Sequence, residues 1–222
     1  MWEPFLRSIQ VAGTAAAIAL FGGVTIAAIL SRWRHPVAGF LEAFITLPMV
    51  LPPTVLGYFL LVFWGAQSPI GEFLDQIGLP LIFTWRGAAM AASVVALPLV
   101  ILSSKAAFDS VDPNLRDVAR TLGRSEISIF FSIILPIGWR GVLSGGVLAF
   151  ARALGEFGAT LMVASNIPGK TQTLPLAIYD AVQSGDQTEA NLLAFGLTMT
   201  AVILIIIFRR LGTTIIGTSD HE

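Results

Sequence analysis

Arg152 and Glu156 occupy the positions in this chain that most demand a chemical explanation. They stand four apart in an apolar run, Phe150-Ala151-Arg152-Ala153-Leu154-Gly155-Glu156-Phe157-Gly158. On a helix that spacing puts both on one face, where opposite charges can neutralise each other. An ionisable group at membrane depth costs on the order of 3 kcal/mol, and it pairs or faces a polar path. A buried ion pair fixing helix packing is one reading. An arginine that helps an anion through is another, and its exposure must then be transient, because a permanently free guanidinium would trap its cargo. A gate or a subunit contact is the third.

A second charged stretch runs from Asp112 to Pro136, DPNLRDVARTLGRSEISIFFSIILP. Asp112 can accept hydrogen bonds from free helix N–H groups, and Pro113 suits a first helical position because it has no N–H. Leu115, Val118, Ala119 and Leu122 recur at helical spacing and predict one apolar face. Arg116, Asp117, Arg120 and Arg124 fall on the polar side. Gly123 can adopt the left-handed conformation that ends a helix. A second short helix is expected from Ser125, with Ile127, Phe130, Phe131 and Ile134 in register, stopping at Pro136. Two short amphipathic helices hinged on a glycine read as a docking surface, or as a membrane-surface pair whose arginines face lipid phosphates.

Other candidates carry less. Gly169-Lys170-Thr171 resembles the end of a phosphate-binding loop, but Ala164 stands where that loop needs a glycine. His35 and His221 have no partner at metal-ligand spacing. The chain has no cysteine, hence no disulfide, thiolate metal site or cysteine nucleophile. No nucleophilic triad can be assembled. The expectation is a non-catalytic subunit without a cofactor or metal of its own.

The elements that position these residues follow from composition. Hydrophobic residues make up 55% of the 222-residue chain and charged ones 12%, with a mean hydropathy of +0.80. A soluble domain carries about 25% charge. Five or six spans of about 20 residues fit this length. Span one is expected from Ile9 to Leu30; a cleaved leader is disfavoured because the run is long and ends in Ser-Arg-Trp-Arg-His. Span two, Phe44 to Trp64, carries Pro48, Pro52 and Pro53. It is either a kinked packing helix or a helix broken at a translocation path, and both readings place it inside a bundle. Spans three, four and five are expected over Arg86–Ser104, Gly141–Ala164 and Ala190–Phe208. Gly141, Gly145, Gly146, Gly155 and Gly158 offer small faces for close helix approach.

Charge distribution orients these spans. The expected cytoplasmic segments hold Arg32, Arg34, Lys105, Arg116, Arg120, Arg124, Arg140, Arg209 and Arg210; the external ones hold Arg7 and Lys170, with Arg86 at the boundary. That asymmetry predicts an external N-terminus and a cytoplasmic C-terminus.

The segment Asp117-Val118-Ala119, three residues, Gly123, nine residues, Ile133-Ile134-Leu135-Pro136 resembles the cytoplasmic signature of ABC importer permeases. Two positions depart conservatively, with Asp117 for glutamate and Val118 for alanine. Nearly the full chain also resembles the permease subunit of molybdate importers. That likeness rests on Leu47-Pro48-Met49-Val50-Leu51-Pro52-Pro53-Thr54-Val55-Leu56-Gly57-Tyr58, Ala119-Arg120-Thr121-Leu122-Gly123, the Phe150–Thr160 stretch, Ser165-Asn166-Ile167-Pro168-Gly169-Lys170-Thr171 and Thr173–Tyr179. Sulfate permeases share versions of the Phe150–Thr160 and Ser165–Thr171 stretches.

The resemblance implies an all-α integral membrane protein of the inner membrane, a single polytopic bundle of about five transmembrane helices with the type I importer permease fold. It implies that Arg116, Asp117, Val118, Ala119, Arg120, Leu122 and Gly123 form a coupling helix against a cytoplasmic ATPase. The expected partners are two ATPase copies, a second copy of this chain, an extracytoplasmic oxyanion-binding protein and the lipid bilayer, with no nucleic acid. Pro48, Pro52, Pro53, Arg152 and Glu156 are the pathway or gate candidates. The cargo expected is molybdate, with tungstate or sulfate as rivals. A secondary transporter would show a repeat with paired broken helices, and none is visible.

Overall fold

Among the described residues, 2–33 and 37–213 of a computed structural model, all regular structure is helical. Arg34, His35 and His221 lie outside them, as do the side chains of Arg209 and Arg210.

The first helix, α1, spans Trp2–Leu30 and is followed after a turn by α2, Val37–Val50. Helices α3 (Pro53–Trp64) and α4 (Pro69–Gln76) lead to α5, Trp85–Asp109. A short α6, Pro113–Thr121, precedes α7, Glu126–Ile129, which runs through a π-helical turn at Phe130–Ile134 into α8, Leu135–Leu154. The chain closes with α9 (Gly158–Ala164), α10 (Leu174–Ser184) and α11 (Gln187–Thr213). Three stretches are long and apolar enough to cross a membrane singly, namely α1, α5 and Glu126–Leu154; the bent α2–α3 pair makes a fourth. The fifth expected span falls within α11.

Helix α5 is the centre of the bundle. Ala88, Ala89, Ala91, Ala92 and Ala96 are buried on it, and their small side chains let α1 and α8 come close. Glycines complete the fit from the other side. An added Cβ at Gly145 would sit 3.0 Å from Val100 Cα, and one at Gly146 would sit 2.9 Å from Leu20. Gly141 packs on Ala107 and Gly158 on Pro53. Of the five glycines expected to mediate close packing, only Gly155 meets no neighbouring element.

The structure corrects the sequence reading in several places. Pro136 does not end a helix: Glu126–Leu154 is continuous. Proline removes one donor and presses on the carbonyl a turn earlier. Here the turn before it widens, so that the Leu135 N–H bonds the Phe130 carbonyl, and the helix passes the proline without stopping. The fourth span therefore starts fifteen residues earlier than expected and ends at Leu154, with Gly155–Phe157 separating it from α9. Helices α4 and α10 lie in the connections between the expected spans, and α1 begins at Trp2 rather than Ile9.

Span two is broken, with α2 and α3 meeting at 109°. Pro52 and Pro53 deprive two successive residues of a donor, so α2 closes with the Leu51 N–H on the Leu47 carbonyl and α3 restarts on the Pro52 carbonyl. Within one chain this pair lies at the edge of the bundle. Every described side chain of α2 is at least partly exposed, and α3 buries only Leu56, Gly57 and Trp64.

What holds α3 is its contact with α9. A Cβ at Gly57 would lie 2.8 Å from Met162 Cβ and 2.9 Å from Ala159 Cα. Gly57→Ala is expected to cost about 1–3 kcal/mol. It should appear as a lowered unfolding midpoint in detergent, while Gly13→Ala, inside α1 where a Cβ meets nothing within 4 Å, should hold the midpoint or raise it slightly.

Candidate functional site

Two regions gather the chemistry-bearing residues, one at the helix breaks and one at the cytoplasmic end. At the breaks, Arg152 lies in the last turn of α8 and Glu156 in the gap before α9. They do not share one uninterrupted helix, yet they pair: Arg152 Nη1 lies 2.8 Å from Glu156 Oε2. The partners differ sharply in exposure, 36% for the Arg152 side chain against 1% for Glu156.

Glu156 has a second task. Its Oε1 accepts a hydrogen bond from the Ala159 N–H at 2.8 Å, satisfying one of the free donors at the start of α9. Thr160 Oγ1 donates to the Phe157 carbonyl at 2.8 Å. The buried carboxylate thus holds the break together from both sides, pairing with α8 and capping α9. Gly158 brings this break against the other one, because an added Cβ there would sit 2.9 Å from Pro53 Cβ and 3.2 Å from the Thr54 nitrogen. Pro52, Pro53, Arg152 and Glu156 are therefore gathered into one region where two spans are interrupted. Pro48 is not at the break, lying inside α2.

At the cytoplasmic end the local signals behave as the sequence dictates. Asp112 Oδ1 accepts from the Asn114 N–H at 2.9 Å, and Ser125 Oγ from the Ser128 N–H at 3.3 Å. Gly123 has φ of +76°. Around it the Gly123 N–H bonds the Arg120 carbonyl at 2.9 Å and the Arg124 N–H bonds the Ala119 carbonyl at 3.1 Å, which is the Schellman closure of α6.

The faces of α6 differ from the expected split. Ala119 alone turns inward, into a cluster with Ala27, Leu30, Phe108 and Ile129. Leu115, Val118 and Leu122 point outward, with Val118 58% and Leu122 77% exposed. Arg116, expected on the solvent side, folds back so that its Nη2 donates to the Phe108 carbonyl at the end of α5.

Arg120 binds Glu126 at 2.6 Å and Asp117 at 2.9 Å. Glu126 and then Asp117 push the Arg120 guanidinium above its already high ordinary value, so it stays charged at any physiological pH. Glu126 also accepts Arg32 Nη2 on its carbonyl at 3.1 Å. It is the residue that sequence reasoning missed here. The available signal was an acid six residues after Arg120, across a turn whose glycine was already legible.

The chain as a whole is similar to known proteins. The family model for the binding-protein-dependent transport system inner membrane component covers residues 15–216. The chain belongs to that family. It is therefore an inner-membrane transport component with the type I importer permease fold. It is 41% identical over 208 residues to the molybdenum transport system permease protein ModB of Escherichia coli K12, covering 92% of this chain and 91% of that one. It is 33% identical over 204 residues to the Chlorokybus atmophyticus protein cysT, named as a probable sulfate transport system permease, covering 92% of this chain and 71% of that one. Among solved structures, an inward-facing form of the MetNI methionine ABC transporter superposes with a TM-score of 0.73 at 14% identity, covering 95% of each chain. That last likeness is one of fold alone.

Proposed function

We propose that this chain is the permease subunit of an ATP-driven molybdate importer. The observation that carries the reading is the 41% identity, sustained over 92% of the chain, with a molybdenum transport permease. In this reading two copies pair in the membrane, two copies of an ATPase bind below, and an extracytoplasmic oxyanion-binding protein delivers cargo from above.

The docking contact falls on Leu115, Val118 and Leu122. An apolar helix face left in water at the cytoplasmic end is costly unless a partner covers it. Asp117 and Arg120 rim that face, and Gly123 sets its angle to the long Glu126–Leu154 helix. ATP binding would close the ATPase pair and move α6, and the Schellman turn would transmit that motion to the span carrying Arg152. The exposed faces of α2 and α3, including Phe44, Leu47, Tyr58 and Phe59, would lie towards the second copy. The two breaks would then border a path between subunits, with the exposed edge of Arg152 as its cationic contact. A paired arginine attracts a dianion weakly, which suits passage better than capture.

The test is ATP-driven uptake of labelled molybdate into proteoliposomes holding this chain, its ATPase and the binding protein. Excess tungstate, close to molybdate in size and charge, is expected to abolish uptake, and excess sulfate to leave it unchanged. Competition by sulfate would reassign the cargo, and uptake without ATP would sink the importer reading.

A further inference from the structure

Two cavities of opposite character meet at Arg32 and Trp33. One, about 910 Å3, is an apolar groove between α1 and the Glu126–Leu154 helix, with Ala17, Phe21, Val24 and Ala28 on one wall and Phe131 and Leu135 on the other. The other, about 570 Å3, is a polar cleft beside α6 into which Arg32, Lys105, Arg116 and Arg120 all project, together with Asp109 and Asp117. Arg32 and Trp33 line both.

The cations of the cleft are not equally neutralised. Lys105 is held by Asp109 at 2.9 Å and Glu42 at 3.1 Å, and Arg120 by Glu126 and Asp117. Arg32 has one carboxylate at the outer limit, 4.0 Å away on Glu126. Arg116 has no carboxylate within ion-pair distance among the described residues; it donates to the Phe108 carbonyl, and its Nε has no acceptor. Glu42, Asp109, Asp117 and Glu126 balance the four cations in number, but Arg32 and Arg116 are the two guanidiniums without a close carboxylate of their own.

The groove has the dimensions of one leaflet. Its α1 wall runs from Ala17 to Ile29, about 18 Å at ~1.5 Å per residue, against a leaflet hydrocarbon depth of about 15 Å. Its cationic end lies on the cytoplasmic side by the distribution of arginine and lysine, and the half-exposed Trp33 marks the interface there.

We propose that groove and cleft together hold one anionic phospholipid of the cytoplasmic leaflet. An acyl chain lies along α1 and the phosphate sits between Arg32 and Arg116. Apolar length matched to a leaflet, ending at two guanidiniums that lack a close carboxylate, is the complement of that molecule. Because Arg116 belongs to α6, the bound phosphate braces the docking helix against α1.

The test is native mass spectrometry of the purified full chain in equimolar phosphatidylglycerol and phosphatidylcholine, alongside thermal unfolding in each lipid alone. One phosphatidylglycerol per chain is expected to be retained, with a preference of about tenfold. Arg32→Gln with Arg116→Gln should erase the preference. Thr25→Trp, on the exposed floor of the groove, should erase retention of either lipid while leaving the fold intact. Absence of a preference in the unaltered chain would overturn the proposal. Equal stabilisation by inorganic phosphate would assign the cleft to a free anion instead. Disulfide capture of a second copy through Ala28→Cys would show that protein, not lipid, covers the groove.

Discussion

Gly123→Pro is expected to abolish stimulation of the partner ATPase by cargo-loaded binding protein while leaving membrane insertion intact. Proline fixes φ near −65°, whereas Gly123 sits at +76°. It would also delete the N–H that bonds the Arg120 carbonyl and bias Leu122 away from the helical conformation it holds. The combined cost, about 3 kcal/mol or more, falls on a turn that buries nothing. A Cβ at this position meets no atom within 4 Å, so the α1–α5–α8 core is untouched. The graded series separates coupling from folding. Gly123→Asn should be close to normal, since asparagine tolerates the left-handed region. Gly123→Ala should lose about 1–2 kcal/mol of turn stability and part of the stimulation. Gly123→Pro should lose nearly all of it, a fall of at least about tenfold. Normal stimulation by the proline variant, in protein shown to be inserted and thermally intact, would remove the turn from the coupling path.

That turn was legible in the sequence because its causes are local. Asp112 and Ser125 cap through their side-chain oxygens, on N–H groups within three residues, and Gly123 turns through its own backbone. The errors arose where the cause lay elsewhere. Pro136 read as a stop because the compensating wide turn at Phe130–Ile134 leaves no composition signal. The break at Gly155–Phe157 was hidden by Arg152 and Glu156, whose spacing suits an unbroken helix. The pair forms anyway, because Glu156 swings back across the break to reach Arg152 while capping α9.

The outward turn of Leu115, Val118 and Leu122 illustrates a different limit. Periodicity identified three of the four apolar residues that share a face, but not what that face would meet. An apolar stripe usually marks the side facing the chain's own core. On α6 only Ala119 does so, while the bulkier residues are left for another surface. The second span shows the same limit. Its prolines left a kink and a break both open, and nothing in them says what covers the exposed faces of α2 and α3.

The break at Glu156 provides the sharpest separation of structural from transport roles. Glu156→Ala removes the Ala159 cap and leaves Arg152 without its counter-charge inside an apolar run. Breaking a buried pair from one side costs about 3–5 kcal/mol, and the lower end applies here because the Arg152 side chain is a third exposed. A lowered unfolding midpoint and loss of uptake should appear together. Glu156→Gln keeps an oxygen for the Ala159 N–H and should be milder. The informative variant carries Arg152→Gln and Glu156→Gln together. With both charges gone the burial penalty disappears, so its unfolding midpoint should return close to that of the unaltered chain. Uptake should not return: without the guanidinium the region between the breaks has no cation for an oxyanion, and a fall of about tenfold is expected from losing one charged contact. A double variant that recovers uptake along with stability would reduce Arg152 to a packing residue. One that recovers neither would mean that the charged pair, and not merely the cap, is needed to close the two interrupted spans on each other.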